Sequence, residues 1–307
     1  MPAGVTHYLV GDMALKKLGI NFSKKERDAF DLGCQGGDIF FFYQVFGGRK
    51  YPLLKKAGEK LHKKLINAPV HYMNVFASTL QDENDRKIIK AYIMGYLCHF
   101  STDTTAHPYI YALSDILLNE KKEFDSFYYH AKIESNLDVI MLLKLKNKTI
   151  IDIPPYSIFP SESGVSILLG KMYSFAFEKS GYAKAPSIEY TRAFSYLKRG
   201  MKLLYSKGNI KRNAIFSISK FIKITPGFSQ MIHPVTCDNF CDYANISKKE
   251  IGYNNGTVSL DNFFEIFDKA VNKSADCIKK FTEGKSISDI MEGKSFDTGL
   301  IVDESKF

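Results

Sequence analysis

Apolar residues recur at steps of three and four along most of this chain, and alternating stretches long enough for strands are few, so the pattern predicts helices. The clearest case lies within 82–106, where Ile88, Ile89, Tyr92, Ile93, Tyr96 and Phe100 fall on one face and predict a single long buried helix. Similar periodicity predicts helices over 5–18, 61–80, 124–143, 165–177, 190–205 and 260–281. Ser23 with Glu26 three residues on reads as a capping pair, and Ser259 as a cap for the last long helix. Pro69, Pro108, Pro154, Pro155 and Pro160 are expected to mark breaks. The proline-rich stretch 147–164 is the one organisational seam. The expectation is an all-α fold, a compact multi-helix single domain over 1–284, with supporting helices over 165–284 and a polar tail, 285–307, that frays.

Composition narrows the class. The chain has 307 residues, 45% hydrophobic and 14% aromatic, too apolar for a disordered protein. Five cysteines at irregular spacing argue against a disulfide scaffold and for a reducing compartment. The densest apolar run, 39–46, falls well short of the ~20 residues a bilayer span needs. The N-terminus lacks the basic start and apolar core of a secretory signal, so a cytoplasmic protein is expected. The balance of 42 Lys+Arg against 33 Asp+Glu gives a net charge of +9. Clusters such as Lys55 with Lys56, Lys60 with Lys63 and Lys64, and Lys207 with Lys211 and Arg212 suit either an ordinary solvated surface or contact with phosphate-rich surfaces.

The chemistry concentrates in the first half, where six of the seven histidines fall before residue 131. In His99-Phe-Ser-Thr-Asp103, residues four apart share a helix face and can grip one ion. His107 lies two turns past His99, roughly 12 Å along a helix axis, and is better placed for a neighbouring ion. His130 and Glu134 repeat the four-residue spacing on another predicted helix. Two such pairs on packed helices would face each other, as in metal sites within helix bundles. Asp38, on the glycine-rich turn 33–37, and His7, opening the first helix, become intelligible beside them; alone, each reads as a turn acid and a capping or surface histidine. His233, Cys237 and Cys241, four residues apart, form a weaker candidate zinc group. The aromatic run Phe40 to Tyr43 reads first as core, with lipid contact as the alternative. There is no Gly-x-Ser-x-Gly elbow, Walker loop or dinucleotide glycine pattern.

Thr6-His7-Tyr8, the 33–43 stretch with Gly36-Gly37-Asp38-Ile39-Phe40-Phe41, the 95–109 stretch from Gly95 through His99, Asp103 and His107 to Tyr109, and His130-x-x-x-Glu134 occur in this order. Together they resemble the bacterial zinc-dependent phospholipase C family, itself related by fold to the zinc nucleases that cut single-stranded nucleic acid. The resemblance implies an all-α fold with two or three Zn2+ ions held between helices, and hydrolysis of a phospholipid or related phosphodiester by metal-activated water. Contact with a membrane surface and nucleic acid as an alternative substrate belong to the same expectation, as does a non-catalytic zinc- and phosphate-binding protein. Carried over by position, it makes His7, Asp38, His99, Asp103, His107, His130 and Glu134 metal ligands. A further ligand is expected between Asp38 and His99. His62, in Lys60-Leu61-His62-Lys63, is taken for it, with His71, behind Pro69, as the alternative. Asp103 would bridge ions. Asp38 would orient or deprotonate the attacking water. His62 and His99 would complete its ion, His107, His130 and Glu134 a second, and His7 a third. The sequence departs from secreted members in having no Trp, where those members use a processed N-terminal Trp as a ligand, and in a longer stretch between Asp38 and His62.

Overall fold

The computed structural model describes residues 4–160, 163–237, 242–254 and 256–302. Helices dominate them: α1 (Gly4–Leu18), α2 (Lys24–Gly33), α3 (Ile39–Phe46), α4 (Pro52–Lys55), α5 (Ala57–Lys63), α6 (Ala68–Thr79), α7 (Glu83–Lys121), α8 (Ser126–Lys146), α9 (Ser163–Lys179), α10 (Ser187–Leu204), α11 (Ile210–Phe221), α12 (Gly227–Gln230), α13 (Phe263–Thr282) and α14 (Ile287–Met291). Two two-residue strands, β1 (Ile251–Gly252) and β2 (Val258–Ser259), pair antiparallel. The all-α expectation holds. Among the described residues, no helix is long and apolar enough to cross a membrane.

The 39-residue α7 is the spine. Asp82 caps its start by accepting a hydrogen bond from Asp85 N–H at 2.9 Å. Its N-terminal half, from Ile88 to Phe100, is buried in one apolar core with α3, α6, α9 and α10. Its later turns, from Ala106 to Leu117, are buried in a second core with α1, α8 and α13. Between the two cores the helix turns polar: Ser101, Thr102, Asp103 and Thr104 are all buried. Buried polar groups need partners. The hydroxyls of Ser101, Thr102 and Thr104 donate to the carbonyls four residues back, at 2.7–2.8 Å, which leaves Asp103 to be satisfied from elsewhere.

Several local expectations are corrected. Pro108 does not end α7. A proline inside a helix loses the bond to the i−4 carbonyl, but here the helix is clamped into both cores, and that burial outweighs the lost bond. The 61–80 periodicity is divided between α5 and α6, because Lys64 leaves helical geometry and Pro69 restricts the residue before it. Asn262, not Ser259, caps α13, forming a reciprocal capping box with Glu265; Ser259 lies in β2. Ser23 and Glu26 form the capping box that their spacing predicts. Within the segment expected to fray, Ile287, Ile290, Met291 and Phe296 are buried in the first core, while 303–307 lie outside the described residues.

Candidate metal centre

Five elements deliver eight side chains to the junction of the two cores. His7 comes from the first turn of α1, Asp38 from the 3₁₀ turn Gly36–Asp38 and His62 from the last turn of α5. His99, Asp103 and His107 line one face of α7, and His130 and Glu134 one face of α8. The position of α1 is set by Asp138, one turn past Glu134, whose carboxylate accepts Val5 N–H at 3.2 Å, Thr6 N–H at 2.7 Å and the Thr6 hydroxyl at 2.6 Å. His233 Nε2 lies 2.8 Å from the same carboxylate. His233 therefore contributes to the anchoring of α1; Cys241, of the weaker zinc group that includes His233, lies outside the described residues.

Asp103 is the hub. The Nε2 atoms of His7, His99, His62 and His107 lie 3.2, 3.2, 3.5 and 3.8 Å from its carboxylate oxygens. His62 Nε2 is also 3.2 Å from Asp38 Oδ1 and 3.2 Å from His99 Nε2. On the other side of Asp103, Glu134 Oε1 is 3.2 Å from His130 Nε2 and 3.6 Å from His107 Nε2. Donor atoms close enough to share an ion form three groups: His7, Asp38 and His99; His62, His99 and Asp103; and His107, His130 and Glu134. His71 is exposed, edge-on against Tyr72, and belongs to none of these groups.

Backbone carbonyls fix how two of the rings present themselves. His62 Nδ1 is 2.6 Å from Gly58 O, and His107 Nδ1 is 2.8 Å from Phe296 O. A carbonyl can only accept, so each Nδ1 carries the proton and each Nε2 turns toward the carboxylates, the tautomer that second-sphere carbonyls impose on metal-ligating histidines. The strap after α14 supplies a backbone N–H and a ring as well as this carbonyl. Phe296 N–H donates to His62 O at 3.0 Å, and the Phe296 ring lies 5.2 Å from that of His62 and 5.5 Å from that of His99.

Gly36 sits with φ at +47° and brings its backbone against His99; a Cβ there would lie 2.0 Å from His99 Cδ2. The crowding of backbone onto the site, expected from the glycine-rich turn, is thus real, and a side chain at 36 has no room.

The electrostatics suit cations. Burial opposes charge on Asp103, but His99, His107 and His7 around it hold its carboxyl well below the usual range. Burial is likewise outweighed at Asp38, where His62 lowers the pKa, and at Glu134, where His130 and His107 lower it well below the usual carboxyl value. Burial also opposes charge on His62 and His107. The Asp103 and Asp38 carboxylates nonetheless hold His62 well above its ordinary value, and Asp103 with Glu134 lifts His107 to about 9, so without a metal both rings carry a second proton, on Nε2, that a bound cation would displace. Burial wins at His99, pushed down to about 3. Three ionised carboxylates therefore converge with imidazole Nε2 atoms, while Asp103 Oδ2 is buried and accepts no hydrogen bond from the described residues. A buried ionised oxygen left this way is costly unless a cation meets it. Oxygen and imidazole donors with no thiolate among them fit Zn2+.

A cleft of about 840 Å³ opens onto this cluster, with Asp38, His62, Asp103, His107, His130 and Glu134 at its floor. Phe42, Val45, Phe46, Phe127, Leu204 and Phe228 stand among its walls. The aromatic run is shared out: Phe40 and Tyr43 are fully buried, while Phe41 and Phe42 border the cleft. Tyr111, Phe296 and Asp297, near or in the site, were not among the residues singled out from sequence. Asp138 had a legible signal, since it continues the His130, Glu134 stripe by one more step of four.

Searches of curated proteins and of solved structures returned no significant match. The family model described as zinc dependent phospholipase C matches residues 6–180, a span that contains all eight clustered side chains. With more than half of its length matched and this cluster of histidines and carboxylates at the junction of its two cores, the chain belongs to the zinc-dependent phospholipase C family.

Proposed function

We propose that the protein hydrolyses the phosphodiester of a phospholipid on the headgroup side of glycerol, releasing diacylglycerol and a phosphorylated headgroup. The observation that carries this reading is the continuity of a carboxylate–imidazole floor with apolar walls in one cleft. A phosphate at the floor leaves acyl chains against Phe42, Val45, Phe46, Phe127, Leu204 and Phe228. Among the described residues, no Lys or Arg lines the cleft. A nuclease would be expected to offer cationic side chains along a nucleic-acid backbone, so the lipid is favoured.

The eight clustered residues would hold two or three Zn2+ ions, with Asp103 shared between them, His107, His130 and Glu134 forming one group, and Asp38, His62, His99 and His7 the remainder. When bound, zinc offsets charge developing on the phosphoryl oxygens and acidifies a coordinated water. The chain's residues do the rest. Asp38 borders the cleft and is kept ionised, so it can orient a water and take its proton. Gly58 O and Phe296 O keep the His62 and His107 rings in one orientation. The apolar walls exclude bulk water from the phosphate.

Zinc-loaded protein given monomeric short-chain phosphatidylcholine is expected to release phosphocholine and diacylglycerol and to leave single-stranded oligonucleotides intact. Asp38→Asn is expected to lower turnover by about 100-fold or more while zinc remains, the scale of losing a positioned base. Oligonucleotide cleavage without lipid turnover would transfer the assignment to the nuclease branch. Inactivity on both, with zinc present, would favour a binding protein.

A further inference from the structure

Residues 190–237 contain nine Lys or Arg and no Asp or Glu. Within this acid-free stretch, α11 packs on the body through one side only. Phe216 sits 5.7 Å from the Phe124 ring and 6.4 Å from that of Tyr128, and Ser219 is buried. The side turned away from the body is not polar, as a surface helix requires. Ile210, Ala214, Ile218 and Phe221, at steps of four, four and three, are all exposed, Ile210 by 85% and Phe221 by 86%. Ile222 and Ile224 extend the apolar row beyond the helix end, with exposed Lys220 and Lys223 interleaved.

The row leads to the cleft. α12 follows directly, and its Phe228, 61% exposed, lies 5.7 Å from the Phe127 ring; both line the cleft. Leu203 at the end of α10 and Val45 in α3, each at least half exposed, complete an apolar rim.

We propose that α11 and the 222–228 turn dock on an anionic bilayer, with Ile218, Phe221, Ile222 and Ile224 entering the headgroup and acyl boundary. Lys207 and Lys223 meet the lipid phosphates, while Lys220 is held against the body by Glu123, 3.1 Å away, and by the Phe124 and Phe216 rings. A helix with a solvent-facing apolar stripe and basic flanks has the composition of an interfacial anchor, and an acid-free segment suits a negative surface. The apolar row is continuous with the cleft rim, so a lipid reaches the metal centre without its chains crossing water. This docking rests on the phospholipid reading for its purpose, but its geometry is independent of it.

The test uses zinc-loaded protein sedimented on ice with phosphatidylcholine vesicles, either pure or roughly a third phosphatidylglycerol. Binding is expected chiefly to the anionic vesicles and to weaken with salt. The double variant Ile218→Ser with Phe221→Ser, neither residue lining the cleft, is expected to bind at least about tenfold more weakly and to cleave vesicle lipid correspondingly slowly. Its turnover of monomeric short-chain lipid is expected to be unchanged. Lys207→Gln with Lys223→Gln, both exposed, is expected to remove most of the preference for anionic vesicles. Vesicle binding unaffected by both double variants would overturn the proposal. So would a parent protein that cleaves monomeric lipid and binds no vesicle, or a parent that is dimeric in solution while the Ile218→Ser, Phe221→Ser variant is monomeric. Variant-sensitive vesicle binding without cleavage of any lipid would uphold the docking and reject the phospholipase reading.

Discussion

Replacing Asp103 by asparagine is expected to remove at least one zinc ion per chain and to lower hydrolysis of a simple aryl phosphodiester by roughly 10³-fold, the scale of losing preorganised charge stabilisation. Four imidazole Nε2 atoms lie within 3.8 Å of the two Asp103 oxygens. Asparagine keeps the volume but removes the negative charge. It also presents amide hydrogens where one carboxylate oxygen stood. Metal binding is linked to folding wherever the native state alone assembles the ligands, so the zinc-saturated variant is expected to unfold at a lower temperature, while the chelated forms of variant and parent lie closer together. Metal analysis, a chromogenic phosphodiester assay and thermal unfolding with and without chelator read all three effects. A variant with its full zinc complement and turnover within about twofold of the parent would deny Asp103 its shared position.

Phe296→Ala is expected to have the largest effect on stability of any single change outside the ligands. The ring is fully buried and meets His62, His99, Tyr96 and Phe100 at centroid distances of 5.2–6.0 Å. Truncating a buried phenylalanine costs about 3–5 kcal/mol through lost transfer energy and the cavity left behind, or roughly 5–15 °C in melting temperature for a chain of this size. The Phe296 backbone also holds His62 O and the His107 ring, so loosening the strap is expected to weaken zinc retention against a mild chelator. A tail that frays would give a different result, since substitutions in mobile surface segments usually fall within about 0.5 kcal/mol.

The contrast between these two residues shows what the sequence made legible. His99 and Asp103, like His130 and Glu134, announce themselves because an α-helix turns spacing into shared faces, and α7 and α8 are long, regular and well capped. His7 and Asp38 carry no such periodic signal and were found through the family resemblance. The geometry that brings them in depends on Asp138 gripping the start of α1 and on Gly36 letting backbone approach His99, both long-range effects. Phe296 was invisible for a related reason. It is one apolar residue in a polar stretch, and its burial comes from hydrogen bonds between its own backbone and residues far back in the chain.

Local rules erred where tertiary packing decided the outcome. Pro108 is a helix breaker by propensity, yet α7 runs through it because both flanks are anchored in separate cores. The signal for the cap of α13 was present, since Asn262 and Glu265 have the spacing of a capping box and Ser259 has no Glu or Gln three residues on. The periodicity predicts no helix over 210–221, and spacing tells only which residues share a face, not whether that face turns inward, so the exposed stripe of α11 is visible in the structure alone.

The central claim is that the junction of the two cores is a multinuclear zinc centre. Its most direct test is the zinc content per chain of protein purified without chelator, added metal or a metal-binding tag, measured by elemental mass spectrometry alongside His99→Ala and His130→Ala. At least two zinc ions per parent chain are expected, with each variant losing metal, because His99 and His130 belong to different donor groups. Less than one zinc per parent chain, or a complement unchanged in both variants, would contradict it.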